Sequence, residues 1–387
     1  MFKHPFAVVT ALALSTMMVI SPAIPQAHAV AQDQKPQEII VKFKPGTSST
    51  KAASIHATAK GQVASKHAKL GYQVIKLNKG QSVQEAINAY KKNPNVEYVE
   101  PNGEVHATFI PNDPKYSQQY APQKVGAEAA WDVTKGSNQV KVAIVDTGVD
   151  YNHPDLAGKV EKGKDFIDND NDPMDENSHG THCAGIAAAK TNNGEGIAGM
   201  APEVTILAER VLDANGSGTW DSVANGITHA ADAGAQVISL SLGGPQSSQT
   251  LENAVKYAAS KGAVIVAAAG NESTSAPSYP GRYDEAIAVA ATDQNDKKAS
   301  FSNYGDWVDV AAPGVNILST VPGGGYAAMS GTSMATPLVA GEAALLASQG
   351  KSASEIRQAI EGTADKISGT GTYWAHGRIN AANAVKQ

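Results

Sequence analysis

Cysteine is almost missing from this sequence, since Cys183 is the only one in 387 residues. No disulfide can form within the chain, so its stability must come from packing and from bound ions. The sequence also lacks a basic excess: the formal net charge is −6 and no long basic run occurs, so we expect no nucleic-acid partner. Beyond the N-terminus no run of about 20 apolar residues occurs, and we expect no membrane span.

The N-terminus, by contrast, has the pattern of a secretory signal peptide. Residues 6–20, FAVVTALALSTMMVI, are an apolar run that follows Lys3, and residues 27–29, AHA, are a small-x-small cleavage site. The run is short for a membrane anchor, which is the alternative interpretation. We therefore expect a signal peptide over residues 1–29 and a secreted, extracellular protein.

Residues 30–108 differ in composition from the rest of the chain and are rich in lysine. The stretches EIIVKFK, YQVIKLN and VEYVEPN have strand patterns, whereas TKAASIHATAKG and SVQEAINAYKKN have helical spacing. These patterns predict a small α+β domain, and it contains no plausible catalytic cluster. A turn-rich stretch around residues 102–112 predicts a linker to the next domain.

From about residue 109 the sequence predicts an α/β domain that extends to residue 387. Short apolar runs such as KVAIVD, TILAERVL, VISLSLG, AVIVAAAG and AIAVAAT alternate with helical patterns. Continuous apolar strands between helices indicate a parallel sheet covered on both faces, a three-layer architecture. Functional residues gather at the carboxyl ends of such strands, and Asp146, Gly243 and Asn271 follow directly on predicted strands.

Residues 175–190, DENSHGTHCAGIAAAK, contain two histidines beside the single cysteine. By themselves they leave open whether His179 and His182 are metal ligands, core residues or bases, and whether Cys183 is a nucleophile. Together with Asp146 and Ser333, however, this stretch supplies the three side chains that a serine nucleophile needs: the serine itself, a histidine base and a carboxylate that orients the base. The chain order Asp, His, Ser argues against the nucleophile-elbow hydrolases, whose order is Ser, Asp, His.

The segments VAIVDTGVD, NSHGTHCAG, SLSLGG, AAAGN and SGTSMATP resemble the subtilisin-like serine proteases, the subtilases, over residues 109–387. PNDPKYSQQYAPQKVGAEAAW and ADKISGTGTYWAHGR are similar to the thermitase branch of that family. The resemblance implies that Ser333 is the nucleophile, His179 the general base and acid, and Asp146 the residue that orients His179. It further implies that Asn271 and the Ser333 N–H form the oxyanion hole, which needs preorganised donors. His182 is then expected to be structural, and Cys183 a buried residue beside the triad.

The resemblance also implies where a peptide substrate binds. Extended segments on either side would pair with the substrate backbone, and small residues would leave a roomy P1 pocket, so we expect broad specificity with a preference for large apolar P1 residues. The expected substrate-binding residues are Gly216, Ser217, Gly218, Ser241, Leu242, Gly243, Ala268, Ala269 and Gly270.

Two calcium sites are implied as well. Clustered carboxylates repel one another unless a hard cation lies among them, and calcium takes six to eight oxygen ligands. The loop KDFIDNDNDPMDEN is such a cluster, although it lacks the glycine and the distal glutamate of an EF-hand. Its expected ligands are Asp165, Asp168, Asp170, Asp172 and the main-chain oxygen of Met174. The expected ligands of the second site are Asp113, Asp155, Asn193, Glu195 and the main-chain oxygens of Lys190 and Ile197.

Within the resemblance, residues 30–108 match a propeptide that assists folding and acts as an intramolecular inhibitor until self-cleavage. The chain is expected to act on proteins and peptides as a monomer. Two positions depart from the family pattern: Leu338 replaces a common histidine, and Glu342 replaces a common apolar residue. Because the neighbours of Glu342 are apolar, we expect a buried carboxylate that needs a partner.

Overall fold

The computed structural model describes residues 38–78, 80–103 and 109–387. The expected signal peptide at residues 1–29, the first residues of the expected propeptide and the segment 104–108 lie outside the described residues. The chain divides into two compact units, one up to residue 105 and one from residue 106.

The first unit is a four-stranded antiparallel sheet packed against two helices. Alternate residues of its first strand, Ile39 and Val41, share a core with Ile55 and Ile87 of the helices, as expected of a sheet with one covered face. The small α+β unit predicted from the sequence is therefore confirmed. Its elements are β1 (Glu38–Phe43), α1 (Ser49–Thr58), β2 (Gly61–His67), β3 (Tyr72–Leu77), α2 (Val83–Lys91) and β4 (Val96–Pro101), with sheet order β2-β3-β1-β4.

The second unit is built on an eight-stranded sheet in which every observed strand pair is parallel. The strand order is β14-β11-β10-β9-β8-β5-β7-β6, and β12 and β13 form a separate antiparallel hairpin. The strands are β5 (Lys141–Asp146), β6 (Val160–Asp165), β7 (Thr205–Arg210), β8 (Val237–Leu240), β9 (Val264–Ala268), β10 (Ala286–Thr292), β11 (Val310–Pro313), β12 (Ile317–Val321), β13 (Gly325–Met329) and β14 (Gly377–Arg378).

Helices cover both faces of this sheet, so the three-layer α/β architecture is confirmed. In β5, Val142 and Ile144 pack in the core that contains α5 and α8, whereas Ala143 and Val145 pack in the core that contains α6 and α7. This alternation follows from the two-residue period of a strand. The helices are α3 (Tyr120–Lys124), α4 (Ala127–Trp131), α5 (His179–Ala188), α6 (Trp220–Asp232), α7 (Gln249–Ser260), α8 (Thr332–Ala347), α9 (Ala353–Thr363) and α10 (Ala381–Ala384), with a 3₁₀ turn at Tyr116–Gln118.

The carboxyl ends of β9, β8 and β5 lie next to one another, because these strands are neighbours in the sheet. The loops that follow them therefore meet at one edge, and in doubly wound folds this edge is where ligands bind. Among the described residues, no helix is at once long and apolar enough to span a bilayer.

Candidate active site

Asp146 and His179 are in direct contact at this edge. Asp146 is the last residue of β5 and is 1% exposed, and its Oδ1 lies 2.7 Å from His179 Nδ1. His179 is the first residue of α5 and follows Ser178, whose φ of 101° turns the chain into the helix. Burial by itself lowers the pKa of His179, but the adjacent Asp146 carboxylate outweighs it, so the net pKa lies above the ordinary histidine value.

The hydroxyl of Ser333 faces the substrate-binding segment. Ser333 is the second residue of α8, and its Oγ donates a hydrogen bond of 3.1 Å to the carbonyl of Ser241. Within the described residues it makes no hydrogen bond to His179, whose Nε2 has no partner there. The nucleophile and the base expected from the sequence thus lie at one edge of the sheet. The hydroxyl proton of Ser333 is directed to the Ser241 carbonyl and not to His179.

Two hydrogen-bond donors lie at this site: the side-chain amide of Asn271 and the backbone N–H of Ser333. The Oδ1 of Asn271 accepts hydrogen bonds from Thr332 N at 2.8 Å and from Thr332 Oγ1 at 3.1 Å. These contacts fix the amide plane and leave Asn271 Nδ2 without an acceptor among the described residues. The Ser333 N–H lies in the first turn of α8, where backbone amides have no helical acceptor. Both donors are therefore available for a ligand oxygen.

Two adjoining hollows flank these residues. A cleft of about 530 Å³ is lined by His179 and by residues 216–218 and 241–243. A pocket of about 260 Å³ is lined by Asn271 and Ser333 together with Ala268 and Gly270, and it shares residues 242–244 with the cleft. All but one of the nine residues expected to bind substrate line one of these hollows.

Ala269 is the exception. It is fully buried and packs with Ala290, Val308, Ala311 and Trp374 rather than against the pocket. The reason is strand alternation: Ala268 ends β9 with its side chain toward the pocket, so the next residue points to the opposite side. Ala269 therefore lines neither hollow, and its contact with substrate stays a prediction.

His182 and Cys183 lie beside the triad without joining it. His182 is buried, its Nε2 bonds to the carbonyl of Ala327 at 2.9 Å, and burial lowers its pKa to about 4. The Sγ of Cys183 lies 3.3 Å from the Ser333 carbonyl, to which it donates. Burial raises the pKa of the thiol, so Cys183 keeps its proton and suits neither a nucleophile nor a metal ligand. Both residues are structural, as the sequence predicts.

The Asp113–Asp155 region fits a cation well. Both carboxylates are buried, and burial raises the pKa of Asp113, with the negative charge of Asp155 adding to the rise. Burial raises the pKa of Tyr326, and the negative charges of Asp155, Glu195 and Asp113 add to the rise. No ion pair within the described part of the chain involves any of these three carboxylates. Buried carboxylates without a cationic partner match what calcium requires.

Hydrogen bonds hold the loop 190–197 against these two carboxylates. Asn193 Nδ2 donates to Asp155 Oδ1 at 2.9 Å, and Asn193 N and Asn192 N donate to Asp113. Lys190 N bonds to the carbonyl of Asp155, and Ile197 N donates to Asp155 Oδ2 at 2.9 Å. The loop 190–197 thus encloses both carboxylates.

The acidic loop fits a cation less well, because protein cations already neutralise part of it. Arg210 Nη1 lies 2.8 Å from Asp165 Oδ2 and 2.9 Å from Asp168 Oδ2, and Lys162 Nζ lies 3.0 Å from Asp172 Oδ1. The Oδ1 of Asp170 accepts a local backbone hydrogen bond from Asp172 N. The carbonyl group of Met174 packs against the backbone of Gly148. A Cβ added to Gly148 would lie only 2.8 Å from the carbonyl carbon and 2.8 Å from the carbonyl oxygen of Met174.

Sequence reasoning assigned no role to Arg210 or Asp175. Arg210 ends β7, and a charged residue that terminates an apolar strand was the available signal. Asp175 belongs to the acidic run but accepts hydrogen bonds from Thr147 Oγ1 at 2.8 Å and Thr181 Oγ1 at 2.6 Å. Asp175 therefore stabilises the turn that leads into His179. The sequence DEN at residues 175–177 is compatible with an Asx-type turn and is a weak indication of this role.

The model of the subtilase family matches residues 137–378, and the model of the fervidolysin N-terminal prodomain matches residues 21–102. The chain is 66% identical over 279 residues to thermitase from Thermoactinomyces vulgaris, covering 72% of this chain and 100% of the relative. It is 57% identical over 353 residues to a thermophilic serine proteinase from Bacillus sp. (strain AK1), covering 90% of this chain and 87% of the relative.

A solved structure of a protease from Pseudoalteromonas arctica is similar as well. Its TM-score is 0.65 at 33% identity, covering 72% of this chain and 99% of the other. The residues that the subtilase model matches, 137–378, include Asp146, His179 and Ser333.

Proposed function

The chain belongs to the subtilase family, and from this premise we propose that it is a secreted, calcium-stabilised serine endopeptidase that removes its own propeptide. The family makes it a subtilisin-like serine protease with a prodomain. The observation that carries the assignment of the triad is the 2.7 Å contact between Asp146 Oδ1 and His179 Nδ1. This contact leaves His179 Nε2 to act as the base, at the same sheet edge as Ser333.

In the proposed reaction, Ser333 Oγ attacks the scissile carbonyl carbon while His179 Nε2 takes its proton. Asp146 holds the imidazole in the required tautomer and stabilises the imidazolium that forms. The oxygen of the tetrahedral intermediate accepts hydrogen bonds from Asn271 Nδ2 and Ser333 N; losing one such donor costs roughly 3–4 kcal/mol of barrier. His179 then protonates the leaving amine, and water hydrolyses the acyl-enzyme by the same route.

Substrate recognition is proposed to use backbone pairing. Residues 216–218 and 241–243 both line the cleft, and we propose that an extended peptide lies between them and adds a strand to each. The 260 Å³ pocket, with Ala268 and Gly270 in its wall, would take the P1 side chain. Its size and small wall residues support a preference for large apolar P1 residues within a broad specificity.

Calcium is proposed to bind first at the Asp113–Asp155 region, through those carboxylates, the Asn193 and Glu195 side chains and the carbonyls of residues 190 and 197. When bound, the ion supplies charge compensation and ties the segment 112–115 to the loop 190–197. The acidic loop is proposed as a second, weaker site through Asp165, Asp168, Asp170, Asp172 and the carbonyl of Met174. Arg210 and Lys162 reduce the charge available there.

The domain boundaries, localisation and assembly state are proposals as well. The apolar run before residues 27–29 supports a signal peptide over residues 1–29, and the prodomain match supports a propeptide over residues 30–108 and a peptidase domain over residues 109–387. The propeptide is proposed to inhibit the peptidase until it is cleaved, and the mature enzyme to be an extracellular monomer that acts on proteins and peptides.

The intact mass of the secreted protein, compared between wild type and Ser333→Ala, tests this assignment. We expect the wild type to be trimmed to a species that starts near residue 109, while Ser333→Ala keeps residues 30–108 attached and loses protease activity. Ser348→Ala, at the C-terminal end of the same helix, is the matched control and should mature normally. Trimming of Ser333→Ala in a host that lacks other extracellular proteases would exclude self-cleavage by Ser333.

A further inference from the structure

The backbone carbonyl of Ser333 lacks its helical hydrogen-bond donor. In an α-helix the carbonyl of each residue accepts from the N–H four positions later. The residue four positions after Ser333 is Pro337, which lies inside α8 and has no N–H. The helix that carries the nucleophile therefore cannot fix this carbonyl through its own ladder.

Two side chains from other elements take the place of the missing donor. Ser241 Oγ donates to the Ser333 carbonyl at 2.9 Å, and Cys183 Sγ donates to it at 3.3 Å. Ser241 follows β8 and is 4% exposed, so its hydroxyl has little access to water as an alternative partner. A hydroxyl is a stronger donor than a thiol, and Ser241 is therefore the main substitute.

The contact between the two serines is reciprocal. Ser333 Oγ donates to the carbonyl of Ser241 at 3.1 Å, while Ser241 Oγ donates to the carbonyl of Ser333 at 2.9 Å. Residues 241–243 line the cleft, and residues 242 and 243 also line the pocket. The pair of hydrogen bonds thus links the segment that faces the substrate to the first turn of α8, from which the nucleophile and one oxyanion donor project.

We propose that Ser241 is a positioning residue for the nucleophile, acting through the Ser333 carbonyl that Pro337 leaves without a donor. This inference rests on the proposed function only in that Ser333 is the nucleophile. Displacement of a reacting group by about 1 Å can cost on the order of 100-fold in rate. The Ser241 hydroxyl prevents such displacement at the start of α8.

Kinetics of Ser241→Ala with a peptide amide substrate test the proposal. We expect kcat to fall about 10- to 100-fold while KM changes less than about twofold, because the backbone that pairs with substrate is retained. Sulfonylation of Ser333 by phenylmethylsulfonyl fluoride, in which Oγ displaces fluoride from sulfur, should slow by a similar factor, and this reagent is too small to pair with residues 241–243. Ser239→Ala is the matched control: Ser239 is a buried serine of β8, the strand that Ser241 follows, its hydroxyl has no partner within the described residues, and kcat should not change.

Pro337→Ala separates this role from a general structural one. Alanine restores an N–H four residues after Ser333, so the carbonyl regains a helical donor. In the Pro337→Ala background, Ser241→Ala should therefore cost much less in kcat than in the wild type. Ser241→Cys, which keeps a weak donor, should lie between serine and alanine, so the series stays informative even where one variant folds poorly.

Three outcomes would overturn the proposal: an unchanged kcat in Ser241→Ala, a rise in KM alone, or an equal cost of Ser241→Ala with and without Pro337. Failure of the proposed function looks different. If phenylmethylsulfonyl fluoride labels Ser333→Ala as it labels the wild type, Ser333 is not the nucleophile. Labelling that depends on Ser333 but not on Ser241 refutes the positioning role alone.

Discussion

At the scale of single residues, Glu342 conflicts most with its surroundings. It lies in α8, is fully buried, and neither carboxylate oxygen has a hydrogen-bond partner among the described residues. Burial raises its pKa to about 8; the positive charge of Arg378 opposes the rise and Asp365 adds to it. Arg378 does not pair with Glu342, because its Nη2 lies 2.5 Å from Asp365 and its Nε 3.0 Å from Asp296.

The contribution of Glu342 to the stability of the protein should therefore fall as pH rises from about 4.5 to 8. An unfolded glutamate has an ordinary pKa near 4.5, so between these values only the folded state keeps the proton, and each rise in pH favours unfolding. By pH 9 the full cost applies, on the order of 5 kcal/mol. In a Ser333→Ala background, Glu342→Gln should gain thermal stability relative to Glu342 between pH 5 and pH 9.

Glu252→Gln is the control for this comparison, since Glu252 is a helix-surface glutamate that pairs with Lys256. Its thermal midpoint should follow that of the parent at both pH values. A difference between Glu342→Gln and the parent that does not change with pH would show that Glu342 does not titrate in this range.

The sequence predicts the burial of Glu342, because the surrounding helix is apolar at almost every position. It does not predict that Ser241 anchors Ser333. The two residues are 92 positions apart, and their contact depends on the adjacency of β8 to the start of α8, which only the assembled sheet determines. Local periodicity places residues on a face; it does not identify the atom that each one meets.

At the scale of elements, the loop 190–197 and the β12–β13 hairpin surround the proposed calcium ligands. Tyr326 of β13 donates to Asp155 Oδ2 at 2.9 Å, and the same strand accepts from His182 of α5 through the Ala327 carbonyl. The Asp113 carboxylate accepts hydrogen bonds from the backbone N–H groups of Asn192 and Asn193 in the loop. Without a cation, repulsion between Asp113, Asp155 and Glu195 would loosen these contacts.

Removal of calcium should therefore destabilise the peptidase unit. In the Ser333→Ala background, a chelator should lower the thermal midpoint by on the order of 5–10 °C. Asp113→Asn should remove most of that response, because it removes a ligand of the stronger site. Asp170→Asn is the matched control, because it removes a carboxylate from the partly neutralised acidic loop. This variant should keep most of the response to the chelator. A full response to the chelator in Asp113→Asn would refute the assignment of the stronger site.

Elements with strong patterns could be predicted from the sequence, and contacts across the sheet could not. The apolar runs that predict β5, β7, β8, β9 and β10 all form parallel strands. The pairing of Arg210 with the acidic loop was not foreseen, because a local run of aspartates carries no information about a cation more than 40 residues away. The expectation for Ala269 rests on the family resemblance, which does not specify which of the small residues at the end of β9 faces the pocket.

At the scale of the whole molecule, the chain has two units with separate cores, and the smaller one contains a buried histidine. His56 is 6% exposed; its Nδ1 lies 2.8 Å from Tyr90 Oη and its Nε2 3.1 Å from Gln73 Oε1. Burial lowers its pKa; the hydrogen bond to Gln73 opposes this, and the positive charge of Lys66 adds to it. The folded unit therefore holds neutral His56.

Acid should weaken this unit selectively. Because the folded pKa lies below the unfolded value of about 6.5, the unfolded state takes up the proton first, and stability is lost as pH falls below 6.5. In Ser333→Ala, hydrogen exchange of residues 38–103, corrected for intrinsic rates, should accelerate between pH 7 and pH 5. His56→Gln should lose most of this dependence, and exposed His67→Gln on β2 should retain it. Equal behaviour of the two variants would rule out His56 as the cause.

The hydrogen bond that the Ser333 hydroxyl donates has a consequence for the reactivity of this serine. Its acceptor in the ligand-free protein is the Ser241 carbonyl, which belongs to the segment proposed to pair with the substrate backbone. If a bound peptide takes this carbonyl as its own hydrogen-bond acceptor, the Ser333 hydroxyl loses this partner and becomes free to turn toward His179, the proposed base. We therefore expect Ser333 to react faster with peptides that fill the groove than with water or with small electrophiles that do not.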